Sequence, residues 1–188
     1  VRRRPGTTTQ GLLSVDGRTL PCALGSGGLA VRKREGDGAT PIGRFWLKAA
    51  LFRADRVAPP AGDLPIRATR ADDGWSDDPG SALYNLFVRL PQTLSHERLM
   101  RTDHLYDVVV ITDHNRTPRV RRHGSAVFLH CSREGLTPTA GCVALPRETW
   151  RRLGAHLVRN RPIDIDAVAR PVRRRRARPF FRRTRSAI

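Results

Sequence analysis

Hydrophobic residues along this chain come in short runs, and most of these alternate with polar positions instead of recurring every three or four. Period two marks a half-buried strand, whereas a period near 3.6 marks an amphipathic helix. Leu12 to Leu24 divides into two such runs around Asp16-Gly17, a pair that favours a tight hairpin turn. Gly25 to Gly28 interrupts the pattern, Gly36 to Gly43 is a compact cluster of turn residues, and Arg44 to Leu51 resumes as a strand. The segments 55–62 and 72–80 are rich in Pro, Gly and Asp and read as loops, so Asp72, Asp73, Asp77 and Asp78 are expected to be solvated or to cap turns. Leu105 to Ile111 is dense in β-branched residues and gives the strongest strand signal. Gly124 to His130, Val143 to Leu145 and, at an edge, Pro162 to Asp166 are further predicted strands. Two segments read as helical. Ser95 to Arg101 has Ser95 as N-cap, and Pro146 to Leu157 has Pro at its first position with Trp150, Leu153 and Leu157 at helical spacing. No internal repeat is present. The predicted fold class is mainly β with a few short helices (α+β).

Length and charge refine this picture. At 188 residues the chain suits one domain with a real core. The net charge of +18 is concentrated at the ends: Arg2 to Arg4 contribute at the start, and Arg170 to Ile188 holds nine arginines and no acid. The expected organisation is a folded domain over 6–168 and a flexible, basic, Arg-rich tail over 169–188. Such a tail suits an anionic wall polymer or a membrane surface. Nucleic acid is not the expected partner, because only Phe180-Phe181 offers aromatic faces for base stacking there. No segment approaches the roughly 18 to 20 apolar residues of a membrane span. The positive start is followed by Gly6 to Leu13, too polar for the apolar core of a signal peptide, so no export signal is recognisable in the chain.

Candidate chemistry centres on Cys142, which follows Gly141 at the head of a predicted strand, and on His130, which ends another. A thiol attacks as thiolate, and a neighbouring imidazole can take its proton. Gly141 leaves room for a substrate to approach the backbone, where N–H groups could hold an oxyanion. The alternative is that Cys142 is a small buried hydrophobe in a core strand. Cys131, next to His130, is expected to face away from the site, and Cys22 to be a buried core residue. The three cysteines form no C-x-x-C pair, and a zinc site from His130, Cys131 and Cys142 is awkward in geometry, so no metal is expected. His96, His104, His114, His123 and His156 read as surface or hydrogen-bonded residues. Ser125 and Ser132 lack the G-x-S-x-G setting of an esterase nucleophile.

Several stretches taken together resemble the L,D-transpeptidase catalytic-domain family. They are Lys33-Arg34-Glu35-Gly36-Asp37-Gly38-Ala39-Thr40-Pro41-Ile42-Gly43-Arg44-Phe45, Trp75 to Asn85, Ser95-His96-Glu97, Leu105 to Val110, Phe128-Leu129-His130 and Thr137 to Leu145. The similarity runs in order from about Gly25 to Leu157. It implies a β-sandwich or barrel domain that needs no cofactor, with Cys142 as nucleophile and His130 as general base and acid. The backbone carbonyl of Cys131 would orient His130, and Gly141 would lie in the oxyanion region. The implied substrates are peptidoglycan stem peptides, donor and acceptor, in the periplasm or bacterial cell envelope. A thioester forms at the third residue of a tetrapeptide, D-alanine leaves, and a second stem amine resolves the thioester as a cross-link. Hydrolysis or D-amino-acid exchange on the same stems is the alternative, and a non-catalytic module binding cell wall or nucleic acid is a second. An ordinary cysteine protease lacks an Asn or Asp clearly placed as third member. Two departures stand out: Ala140 replaces a second His, and Ala144 replaces an Arg that many members carry. Arg121, Arg122 or Arg133 are candidates to meet a stem carboxylate instead, with Thr139 as a further substrate-binding candidate.

Overall fold

The computed structural model describes residues 1–166, so the predicted Arg-rich tail from 169 to 188 lies outside the described residues. The first strands are β1 (Arg2–Arg3), β2 (Gln10–Val15), β3 (Arg18–Ala23), β4 (Leu29–Ala30), β5 (Thr40–Pro41) and β6 (Gly43–Phe52). Next come β7 (Ile66–Ala68), β8 (Asp73–Ser76), β9 (Phe87–Arg89) and β10 (His96–Arg98). The last are β11 (Val108–Thr112), β12 (Phe128–Cys131), β13 (Val143–Leu145) and β14 (Pro162–Ile165), with a single α-helical turn, α1 (Trp150–Leu153), before β14.

The main sheet follows the order β1-β2-β3-β13-β12-β11-β6-β14, with β7 beside β6. Its two ends meet, because Arg2 bridges Asp166 and the Asp166 N–H donates to the Val1 carbonyl. The sheet is therefore a nearly closed barrel, and closure removes edges that would otherwise leave backbone groups unpaired. The fold is mainly β with few helical residues, as the alternation predicts. The predicted hairpin is β2–β3, with Val15 opposite Arg18 across a turn in which Asp16 (φ 44°) and Gly17 (φ 77°) are both left-handed. That is the conformation an Asp-Gly hairpin turn adopts.

β11 is buried at every position between β6 and β12. Val108 and Val110 pack with Leu47, Leu129, Val143 and Trp150, while Val109 and Ile111 pack with Trp75, Tyr106, Phe128 and Cys142. A strand covered on both faces reads as a continuous apolar run, which explains its strong signal in the sequence. The second of these cores includes Trp75 of the small sheet β10-β8-β9.

Several local expectations are corrected. Ser95 to Arg101 is not a helix: His96–Arg98 is strand β10, paired with Gly74 to Ser76 of β8. Its ladder partner, which is distant in sequence, overrides the local helical pattern. The helix expected over Pro146 to Leu157 is broken into a 3-10 turn (Arg147–Thr149), α1 and a second 3-10 turn (Gly154–His156). Gly154 presses so closely on the 60–61 segment that a Cβ would fall 2.9 Å from the Ala61 nitrogen. Trp150, Leu153 and Leu157 nevertheless all reach the core, as their spacing implies. The strand predicted from Gly124 begins only at Phe128, because Ala126 is left-handed (φ 48°), and the strand predicted from Leu105 begins only at Val108. Asp73 is not a solvated loop acid. It is fully buried, with Arg67 and Arg89 each donating to it at 2.7 Å and the Arg70 amide at 2.8 Å. Burial pushes its carboxyl up, but the Arg67 and Arg70 donors and the Arg89 charge outweigh this and hold it below the usual range.

Candidate active site

β12 and β13 run parallel, with Leu129 opposite Val143 and His130 opposite Ala144. Successive strand residues face opposite ways, so Cys142, just before Val143, shares a face with Phe128 and His130. Core packing agrees: Cys142 and Phe128 lie in one core, and Leu129, Cys131 and Val143 in the other. The topology thus brings the thiol and the imidazole to one side of two adjacent strands and turns the Cys131 thiol to the opposite side.

The Cys142 thiol donates to the Ala126 carbonyl at 3.0 Å and accepts the Phe128 N–H at 3.3 Å, so its bonds go to the start of β12 and not to His130. The loop behind it is held from two directions. Thr139 Oγ1 accepts the Gly141 N–H at 3.1 Å and donates to the Cys142 carbonyl at 2.7 Å. Thr40 Oγ1 reaches the same carbonyl at 3.4 Å and accepts the Gly25 N–H at 2.8 Å. Gly141 has φ +139°, and a Cβ on it would fall 2.8 Å from the Ala39 carbonyl oxygen, so only glycine lets this loop press on the 37–40 turn.

His130 is buried, with Nδ1 2.8 Å from the Cys131 carbonyl oxygen. A carbonyl only accepts, so Nδ1 carries the proton and Nε2 keeps its lone pair. The Tyr106 ring packs edge-on against the imidazole at 5.2 Å, and the Arg101 guanidinium lies over Tyr106 at 5.2 Å. Burial pushes the His130 imidazole down to about 4, against the opposing pull of the Cys131 and Leu105 carbonyls. Burial likewise pushes the Cys142 thiol up to about 12, opposed by the Phe128 N–H and the Lys33 ammonium and reinforced by Glu97. At neutral pH the resting pair is therefore a neutral thiol and a neutral imidazole.

Asn85 organises the far wall. It is buried with φ 56°, and its Oδ1 accepts the Trp75 Nε1–H at 3.0 Å and the Ala126 N–H at 3.1 Å. Its Nδ2 donates to the His114 and Asn115 carbonyls at 3.0 and 2.8 Å. The side chain thereby fixes Ala126, whose carbonyl holds the Cys142 thiol.

The family model described as the L,D-transpeptidase catalytic domain, YkuD, matches residues 8–165. The chain belongs to this family. No curated protein and no solved structure matches it. The YkuD match takes in β2 through β14 and so the whole site. Of the arginines singled out in the sequence, Arg121 and Arg122 are exposed on the loop before Gly124, where the Arg122 carbonyl accepts the Glu35 N–H at 2.9 Å. Arg133 is exposed beyond the other end of β12, where its charge acts on Asp103. Thr139 has its hydroxyl engaged within the Cys142 loop. Lys33, Asn85, Glu97 and Tyr106 carry no chemical signature of their own in the sequence, although all four fall inside the stretches that resemble the YkuD family. Among the described residues no group of three or more His, Cys, Asp or Glu side chains is placed to hold a metal ion.

Proposed function

We propose that this YkuD domain is a cysteine acyltransferase acting on peptidoglycan stem peptides, with Cys142 as nucleophile and His130 as general base and acid. Proteins with this domain generally act on peptidoglycan in the cell envelope, and the proposed setting is the same. The observation that carries the reading is the shared face of Cys142 and His130 on parallel neighbours, with Nδ1 of the imidazole tied to the Cys131 carbonyl.

Because both groups rest neutral, the thiol proton passes to His130 Nε2 as sulfur attacks, not beforehand. The S–C bond forms at the carbonyl of the third residue of a tetrapeptide stem, and the thiol gives up its bond to Ala126. The C–N bond to the terminal D-alanine breaks as His130 returns the proton to the leaving amine, which leaves a thioester on Cys142. An amine of a second stem then attacks the thioester, losing its proton to His130, and the thiol is regenerated. The Gly141 N–H is occupied by Thr139, so the Cys142 amide is the proposed backbone donor for the tetrahedral oxyanion. Arg121 and Arg122, beside the turn that backs the Cys142 loop, are the proposed partners of a stem carboxylate, with Arg133 and Thr139 as weaker candidates.

The test is intact mass after incubation with a disaccharide tetrapeptide and, separately, a carbapenem. An acyl adduct on wild type that is absent from Cys142→Ala establishes the nucleophile. Cross-linked dimer, free tripeptide or an exchanged D-amino acid among the products then identifies the acceptor. A folded wild type that forms no adduct with either compound overturns the reading in favour of a binding module.

A further inference from the structure

One further charged side chain, Lys33, lies against the Cys142 loop. Lys33 is buried, its side chain only 6% exposed, whereas its ion-pair partner Asp37 is 25% exposed. Lys33 is thus the more enclosed side chain of the pair. Nζ donates to Asp37 and, at 3.1 Å, to the Arg34 carbonyl. Asp37 is itself fixed, accepting the Arg34 N–H at 2.7 Å and the Ala39 N–H at 2.9 Å.

Two glycines from distant segments make the slot in which this lysine lies. A Cβ on Gly124 (φ +88°) would fall 2.6 Å from Lys33 Cγ, and a Cβ on Gly141 would fall 3.3 Å from Nζ. The ammonium therefore sits directly against the residue that precedes Cys142. Isolated burial of a lysine is costly, and this one is retained with Asp37 as its carboxylate partner. Beyond Asp37, its charge pulls the Cys142 thiol and the His114 imidazole downward.

We propose that Lys33 is a positioning residue for Cys142, supplying fixed positive charge behind the Gly141–Cys142 peptide that stabilises the thiolate as it forms. This rests on Cys142 being the nucleophile. The other titratable groups around the thiol do not supply that charge. Glu97 opposes it, Tyr106 is kept neutral by burial and by Cys142, and His130 and His114 are both driven toward neutrality by burial. Position 144 is Ala, and among the described residues Lys33 is the cation whose charge acts on the thiol.

The decisive experiment compares alkylation of Cys142 by iodoacetamide and by iodoacetate, read by peptide mapping so that Cys22 and Cys131 are counted separately. In both reactions the S–C bond forms and iodide leaves, but only iodoacetate carries a negative charge. Lys33→Met should slow reaction with iodoacetamide about tenfold, as for a thiol one pKa unit less acidic. It should slow iodoacetate further, so the iodoacetate-to-iodoacetamide ratio falls at least about threefold. Lys33→Arg should restore the ratio. If Lys33→Met does not fold, Lys33→Gln, which can still donate to Asp37, is read in the same way. A loop merely loosened by the substitution changes both rates together, so an unchanged ratio overturns the proposal. A wild-type Cys142 that neither reagent modifies overturns it as well. Acyl adduct formation by wild type is measured alongside. An adduct with an unchanged ratio removes the role of Lys33 alone, whereas no adduct removes the transpeptidase reading.

Discussion

Cys142 and Cys131 lie on opposite faces of the same two strands, and both are buried free thiols. Burial is the main cause of a raised pKa in each, to about 12 for Cys142 and about 11 for Cys131. Thiol acidity therefore does not tell them apart. What differs is their surroundings. Cys131 packs with Leu129, Val143 and Leu145, and what it offers the site is its carbonyl, which fixes His130. Cys142 has a carbonyl and an amide on its sulfur, an imidazole on the neighbouring strand and an ammonium behind its loop. On the proposed reading, what sets Cys142 apart is not its acidity but the groups that would take its proton and favour the charge once it forms.

Exchanging the two thiols should give the widest separation. Cys142→Ala is expected to abolish the acyl adduct, whereas Cys131→Ala keeps it and costs about 1 kcal/mol of stability, because only its backbone enters the site. Intact mass and thermal melting read the two effects, and loss of the adduct in Cys131→Ala would break the comparison. His130→Gln should slow acylation by about 10²- to 10⁴-fold at neutral pH, measured as the rate of carbapenem adduct formation. Asn85→Leu should lower unfolding free energy by about 3 kcal/mol in urea titration, since it leaves the Trp75 and Ala126 N–H groups and two carbonyls without their partner. It should also slow acylation, because Ala126 holds the thiol.

A further effect is electrostatic. His130 falls from its usual 6.5 to about 4 on folding, so between those values the unfolded chain binds the proton more readily. Its contribution is therefore fully present above pH 6.5 and is lost as pH falls toward 4, by at most about 3 kcal/mol. Urea titrations across that range should show the decline, and His130→Gln should flatten it.

How far the sequence disclosed this molecule depended on where each residue finds its partners. β11 was legible because both of its faces are apolar, and the β2–β3 turn because Asp16-Gly17 has local geometry of its own. That Cys142 and His130 come to one face was legible because twelve residues suffice to join parallel neighbours. β10 was not legible, since His96-Glu97-Arg98 has no alternating apolar face and becomes a strand only against β8. Asp73 read as a loop acid because the arginines that bury it, Arg67 and Arg89, announce themselves only once β7, β8 and β9 are assembled. Lys33 was hidden for the same reason: its slot is made by Gly124 and Gly141, roughly a hundred positions away.

The bridge from Arg2 to Asp166 turns the described chain into something close to a ring. Where a ring is cut is a choice of connectivity and not of contacts. A circular permutant that joins residues 166 and 1 through a short Gly/Ser segment, opened between Gln92 and Thr93 in the exposed stretch linking β9 and β10, should retain the barrel and its adduct-forming thiol. The order in which the strands are synthesised would then be separable from the order in which they pair.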